Sequence, residues 1–222
     1  ISCISARGVL GAIDQSRYIP ILIGITESGA WIRLESSEDF VIREDGLPYV
    51  PESGSKLNVD IHGFCDSQGN SLDIDLAFPL LHGAYGEDGT IQGLFEMADI
   101  PYVGSGVLAS AVAMDKTFAK PIYADFGLRV ADGITVHQRD WKNNQALEIA
   151  KITALGFPVF VKPARSGSSR GTSKVKSEAQ IISAIEEAHR HDPRAMVEVA
   201  IVGREIECAV LEINGKATAS IL

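Results

Sequence analysis

The stretch Phe157 to Val175, FPVFVKPARSGSSRGTSKV, limits the fold more than any other part of the chain. An apolar, β-branched run from Phe157 to Val161 reads as a strand that delivers Lys162 at its end. A loop holding Arg165, Gly167, Ser168, Ser169 and Gly171 follows, and a second strand-like run begins after it. This order differs from a Walker A loop, whose glycines lead into Gly-Lys-Ser/Thr and then a helix. Elsewhere helix and strand signals alternate, which makes the chain α/β. Ile1–Ile13 reads as a helix and Tyr18–Thr26 as a buried strand closed by Glu27-Ser28-Gly29. Asp75–Leu81 reads as a strand entering the Gly-rich segment His82–Gly89, after which Ile91, Leu94, Phe95 and Ala98 recur at helical spacing. Ile100–Val103 is a short strand candidate, Val107–Phe126 two helices with Pro121 near the second, and Trp141–Leu155 one helix ending at Gly156. Ser177 and Gln180 fit a capping box ahead of the stripe Ile181, Ile182, Ile185 and Ala188. Two strand-like runs, Glu205–Ile213 and Lys216–Leu222, flank Asn214-Gly215, a strong hairpin signal, so antiparallel sheet joins the later part. Residues 35–69 are polar and broken by Pro48, Pro51, Gly54 and Gly69, and give no firm assignment.

At 222 residues the chain has room for one large or two modest domains. Its formal net charge of -9 argues against nucleic acid as a partner, because phosphate backbones require a basic footprint. No apolar run is long enough to span a membrane, and Ile1–Ala12 lacks the features of a secretory signal. Cys3, Cys65 and Cys208 are far apart, which fits reduced thiols in a cytoplasmic protein. Both ends read as cut: there is no initiating methionine, and Ala217–Leu222 resembles the interior of a strand. A domain boundary is expected near Ser110–Lys116.

Several segments can carry chemistry. The loop after Lys162 suits a polyphosphate, since glycines admit backbone N–H groups, serines add donors and a lysine adds a point charge; a flexible surface hairpin is the plain alternative. Gly104-Ser105-Gly106-Val107-Leu108-Ala109 matches a dinucleotide fingerprint with Asp125 beyond it. The strand before it is short and contains Pro101, so a tight turn and helix start is preferred. His82-Gly83-Ala84-Tyr85-Gly86-Glu87-Asp88-Gly89 lies at a strand's carboxyl end, where a ligand crevice is expected; equally, Glu87 and Asp88 cap the next helix while His82 is satisfied locally. Lys116 in Met114-Asp115-Lys116 reads on its own as a solvated helical lysine. Glu198 and Glu205 flank a short turn and can accept from an amino group and a ribose hydroxyl, although strand-end acids are more often solvated.

Together the segments FPLLHGAYGEDGTIQGLFEMADIPYVGSGVLASAVAMDK, FPVFVKPARSGSSRGTSKV and MVEVAIVGREIEC resemble the D-alanine:D-alanine ligases over nearly the whole chain. The resemblance implies an open-sheet N-terminal domain over residues 1–115, followed by an α+β ATP-grasp domain over residues 116–222 that is truncated. It implies an ATP-dependent enzyme joining two D-alanine molecules for peptidoglycan precursor synthesis. The first D-alanine's carboxylate takes the γ-phosphate, and the second D-alanine's amine displaces phosphate from the acyl phosphate. By resemblance Lys116 and Lys162 contact ATP phosphates, with Ser168, Ser169 and Gly171 in the loop that closes over them. Ser168 is also the family serine that positions an active-site acid, itself expected before Ile1. Glu198, Ile201 and Glu205 match adenine and ribose contacts, Ile1 and Ser2 flank the first D-alanine, and His82 lies near the second D-alanine's carboxylate. Magnesium or manganese is implied, with its ligands expected beyond Leu222, so this stretch alone is not expected to complete the reaction. The resemblance also implies a homodimer. Val199 and Arg170 depart from the family pattern, which leaves backbone contact alone at the first and an added cation at the second. A D-alanine:D-lactate or D-alanine:D-serine ligase shares these motifs. A non-catalytic nucleotide-binding module and a dinucleotide oxidoreductase built on Gly104–Ala109 are the readings from other classes.

Overall fold

The computed structural model describes residues 1–44 and 46–221. They form two compact units, Ile1–Leu128 with Pro163–Gly171, and Arg129–Lys162 with Thr172–Leu222.

In the first unit, helix α1 (Ser2–Ala12) precedes strands β1 (Leu22–Ile25), β2 (Trp31–Leu34), β3 (Val41–Ile42), β4 (Pro48–Tyr49), β5 (Ser55–Asp60) and β6 (Gly63–Asp66). An open antiparallel sheet runs β1-β2-β5-β6, and β3 and β4 make a separate ribbon. Side-chain alternation along β2 divides the core in two. Ile32 and Leu34 pack with Cys3 and Ala6 of α1. Trp31 points to the other face, where it meets Phe64 edge-on at 5.4 Å between ring centroids. That face also holds Ile91 and Phe95 of α2 (Thr90–Met97), at the helical spacing read from the sequence. Helices α3 (Val107–Met114) and α4 (Lys116–Asp125) follow, with Pro121 inside α4.

Three expected strands are shorter or absent. The run Tyr18–Thr26 pairs only over β1, because Pro20 has no N–H to give a ladder, and Ile19 is 92% exposed. The Asp75–Leu81 and Ile100–Val103 strands reduce to one parallel bridge between Ala77 and Tyr102. There Ala77 N–H donates to Pro101 O and Val103 N–H to Ala77 O, and prolines at 79 and 101 prevent extension. The unassigned stretch 35–69 holds β3 to β6.

The second unit contains β7 (Gly133–His137), α5 (Gln138–Asn143), α6 (Gln145–Ala154), β8 (Val159–Pro163), β9 (Ser173–Val175), α7 (Ile181–His189) and β10 (Arg194–Val199). Its sheet order is β7-β10-β8-β9. Val136, Val159, Val161, Val175, Ala195 and Val197 form the sheet's buried face against Ile152, Ile181 and Ile185. The single helix expected over Trp141–Leu155 is broken at Asn144, whose side chain caps α6 by accepting from Leu147 N–H at 3.2 Å. The expected capping box at Ser177 does not form; Gln180 Oε1 accepts instead from Lys176 N–H at 2.7 Å, and α7 starts at Ile181. In the stripe, Ile182 faces outward while Ile181, Ile185 and Ala188 are buried. Strands β11 (Val210–Ile213) and β12 (Lys216–Ala219) pair across Asn214-Gly215, with φ of 52° and 74°. Positive φ at both central residues is the geometry that favours this dipeptide in hairpins. The upstream strand begins at Val210, later than the expected Glu205.

Candidate active site

Three groups of polar side chains occupy the positions singled out in the sequence. In the first unit, α1 presents Ser2 and Ser5 on one face, three residues apart. His82 N–H donates to Ser2 Oγ at 3.2 Å, and Ser5 Oγ lies 2.9 Å from His82 Nε2. On the other side of the ring, Glu87 Oε1 is 3.5 Å from Nδ1, while Glu87 Oε2 accepts from Gly83 N–H at 2.6 Å. Ile1 starts α1, and its carbonyl accepts from Ile4 and Ser5 N–H. Of the two acids weighed as helix caps, Asp88 takes that role, accepting from Thr90 N–H at 3.1 Å and Tyr85 N–H at 2.9 Å. Burial pushes the Asp88 carboxyl up, but these N–H donors outweigh it and hold its pKa below the usual value. Glu87 engages His82 instead.

The second group, also in the first unit, joins Lys116 to the loop after β8. Asp115, only 4% exposed, caps α4 by accepting from Thr117 N–H at 3.0 Å and Thr117 Oγ1–H at 2.6 Å. The capped turn sets Lys116 against the loop base. Its N–H donates to Ala164 O, and its Nζ donates to Ser166 O at 2.6 Å and, more weakly, Ala164 O at 3.4 Å. Lys116 is therefore engaged by loop carbonyls rather than standing as a solvated helical lysine. Ser168 and Ser169, both exposed, adopt left-handed φ of 49° and 56°, and Arg170 N–H closes the turn on Gly167 O. Consecutive left-handed residues other than glycine are uncommon.

The third group lies in the second unit. Lys162 on β8 forms an ion pair with Glu198 on the neighbouring β10, with side chains 27% and 10% exposed. Gly133 of β7 lies opposite Glu198 in the ladder. A Cβ at Gly133 would sit 2.3 Å from Val197 O and 3.2 Å from Glu198 Cγ. Ile201 is 71% exposed and Glu205 is also exposed. The sequence reading missed Ser5, Gly133 and the capping role of Asp115. Ser5 carried one usable signal, its i, i+3 spacing from Ser2 on a helix.

Two family models match the chain. D-ala D-ala ligase N-terminus covers residues 1–105, and D-ala D-ala ligase C-terminus covers residues 122–222. A D-alanine–D-alanine ligase of Paenarthrobacter aurescens is 45% identical over 97% of this chain and 60% of its own length. The solved D-alanine-D-alanine ligase from Coxiella burnetii superposes with a TM-score of 0.84 at 34% identity, over 99% of this chain and 64% of its own. A D-Ala:D-Ser ligase from Enterococcus faecalis superposes at 0.83, also with 34% identity, over 98% and 63%. The chain thus spans about 60% of the length of the curated relatives it matches. With N- and C-terminal family regions in their proper order and this agreement of sequence and fold, the chain belongs to the D-alanine–D-alanine ligase family.

Proposed function

We propose that the protein carrying this chain is an ATP-dependent ligase that joins two D-alanine molecules through an acyl phosphate, in the cytoplasm, for peptidoglycan precursor synthesis. The observation that carries this reading is the pairing of Lys162 with the nearly buried Glu198 on adjacent strands, in a chain matched by both family regions. A carboxylate desolvated in this way holds the ammonium at a fixed place, where it can meet a phosphate. The curated relatives named above are D-alanine ligases, which favours D-alanine over D-lactate or D-serine as second substrate.

The donor set fits a nucleoside triphosphate. Lys116 and Lys162 supply ammonium groups, Ser168 and Ser169 hydroxyls, and Gly171 a backbone N–H without a side chain in the way. Glu198, Ile201 and Glu205 are assigned to the adenosine end, and Ile1, Ser2 and His82 to the D-alanine end. Lys116 leaves the carbonyls of Ala164 and Ser166 for phosphate oxygens as the loop carrying Ser168 closes, which excludes water from the transfer. Among the described residues no group of three or more His, Cys, Asp or Glu side chains is arranged to hold a metal. Magnesium or manganese, implied by the family resemblance, would offset charge on the ATP phosphates. No helix among the described residues is long and apolar enough to cross a membrane. The proposed protein has an N-terminal domain over residues 1–115 and an ATP-grasp domain that includes residues 116–222, and it is a homodimer.

The test is ADP release and dipeptide formation by the purified protein with ATP and D-alanine. D-alanine-dependent release of one ADP per dipeptide is expected. ATP turnover indifferent to D-alanine contradicts the reading.

A further inference from the structure

We propose that Ser5, with Ser2 one helical turn before it, is a positioning residue that fixes the ring of His82. The argument begins with the donors available. An ionised Glu87 can only accept, so the proton facing it belongs on Nδ1 of a neutral ring. Nε2 then carries a lone pair, and the Ser5 hydroxyl 2.9 Å away donates to it. The backbone N–H of the same histidine is held by Ser2 Oγ. His82 is thus hydrogen-bonded at its peptide and at Nε2 by α1, while Glu87 of the glycine-rich loop faces Nδ1. The side chains of His82 and Glu87 are 45% and 49% exposed. Packing alone therefore does not fix this ring; the hydrogen bonds must.

The consequence concerns a carboxylate arriving at Nε2. A serine hydroxyl both donates and accepts, and it rotates about its C–O bond. When a carboxylate arrives beside Nε2, Ser5 turns its own O–H to that anion, and the site gains a donor without moving the backbone. This rests on the proposed reading of His82 as the residue near the second D-alanine's carboxylate. Ser5 itself lies outside the residues matched to ligand contacts.

Two measurements on the protein carrying this chain separate the inference from that reading. ¹⁵N spectra of the His82 ring at alkaline pH, assigned by their loss in His82→Gln, should show Nδ1 protonated and Nε2 bare. Ser5→Ala should move the Nε2 resonance and admit the other tautomer, and Ser5→Thr should restore the original pattern. A wild-type ring protonated at Nε2, or spectra unchanged by Ser5→Ala, overturns the role of Ser5. In kinetics, Ser5→Ala should raise KM for the second D-alanine about tenfold and change kcat by less than about threefold, as expected for loss of one hydrogen bond in binding. Altered spectra with an unchanged KM support the positioning role and overturn the placement of His82 at the substrate carboxylate.

Discussion

At Gly133 a Cβ would stand 2.3 Å from a backbone oxygen of the neighbouring strand, whereas at Gly93, within α2, nothing lies within 4 Å. Gly133→Ala must push β7 away from Val197 and Glu198, a loss of about 2 kcal/mol. Gly93→Ala should instead stabilise by about 0.5–1 kcal/mol through helix propensity. Thermal unfolding of the two variants checks the contrast, and loss of ATP affinity in Gly133→Ala alone would tie the glycine to the placement of Glu198. Asp88 gives a pH dependence. Its folded pKa lies below its unfolded one, so its contribution is complete above the unfolded value and is lost as pH falls through the folded value. Asp88→Asn should flatten the acid limb of Tm against pH below about 4; an unchanged limb contradicts the capping assignment. Lys116, Lys162, Ser168 and Glu198 are singled out by the family resemblance because each sits in a contiguous motif. Ser5 was not, because its partner is 77 residues away and only the fold brings them together.

Among the elements, α7 was legible because its apolar period reaches the core without interruption. Ile181 and Ile185 are fully buried against the second unit's sheet, and Ile185→Ala should cost about 3 kcal/mol in chemical denaturation. Around Pro20 and Pro79 the apolar runs overstate the strands, because a proline has no N–H to give a ladder. The break at Asn144 was invisible to periodicity, since helical residues continue on both sides and only the cap marks the change. At the end of α7, burial lowers the pKa of His189, opposed by its hydrogen bond to Val136 O at 3.1 Å. The neutral ring is therefore the folded form. Its contribution is present above the unfolded value of 6.5 and fades as pH falls through the lower folded one. His189→Gln, which can keep a donor toward Val136, should reduce the loss of stability on acidification from about pH 7 to 5. An identical pH profile would contradict that placement.

For the whole molecule, helix and strand alternation was sufficient to read an α/β chain, while the four strands within residues 41–66 escaped it. Their turns and edges are polar, and pairing with β2, which lies well upstream, makes β5 a strand. The loop at Pro163–Gly171 was legible as a loop between two strands, but its attachment to the first unit through Lys116 was not, because that contact joins residues 48 and 50 positions apart. The proposed function assigns ATP phosphate contacts to Lys116 and to Lys162. Its most direct measurement is the affinity for a non-hydrolysable ATP analogue, by calorimetry, of Lys116→Gln and Lys162→Gln in the protein carrying this chain, with thermal unfolding as the control for folding. Each substitution should weaken binding by about tenfold or more, since each removes a charge-assisted contact to phosphate. Undiminished affinity in either folded variant would contradict it.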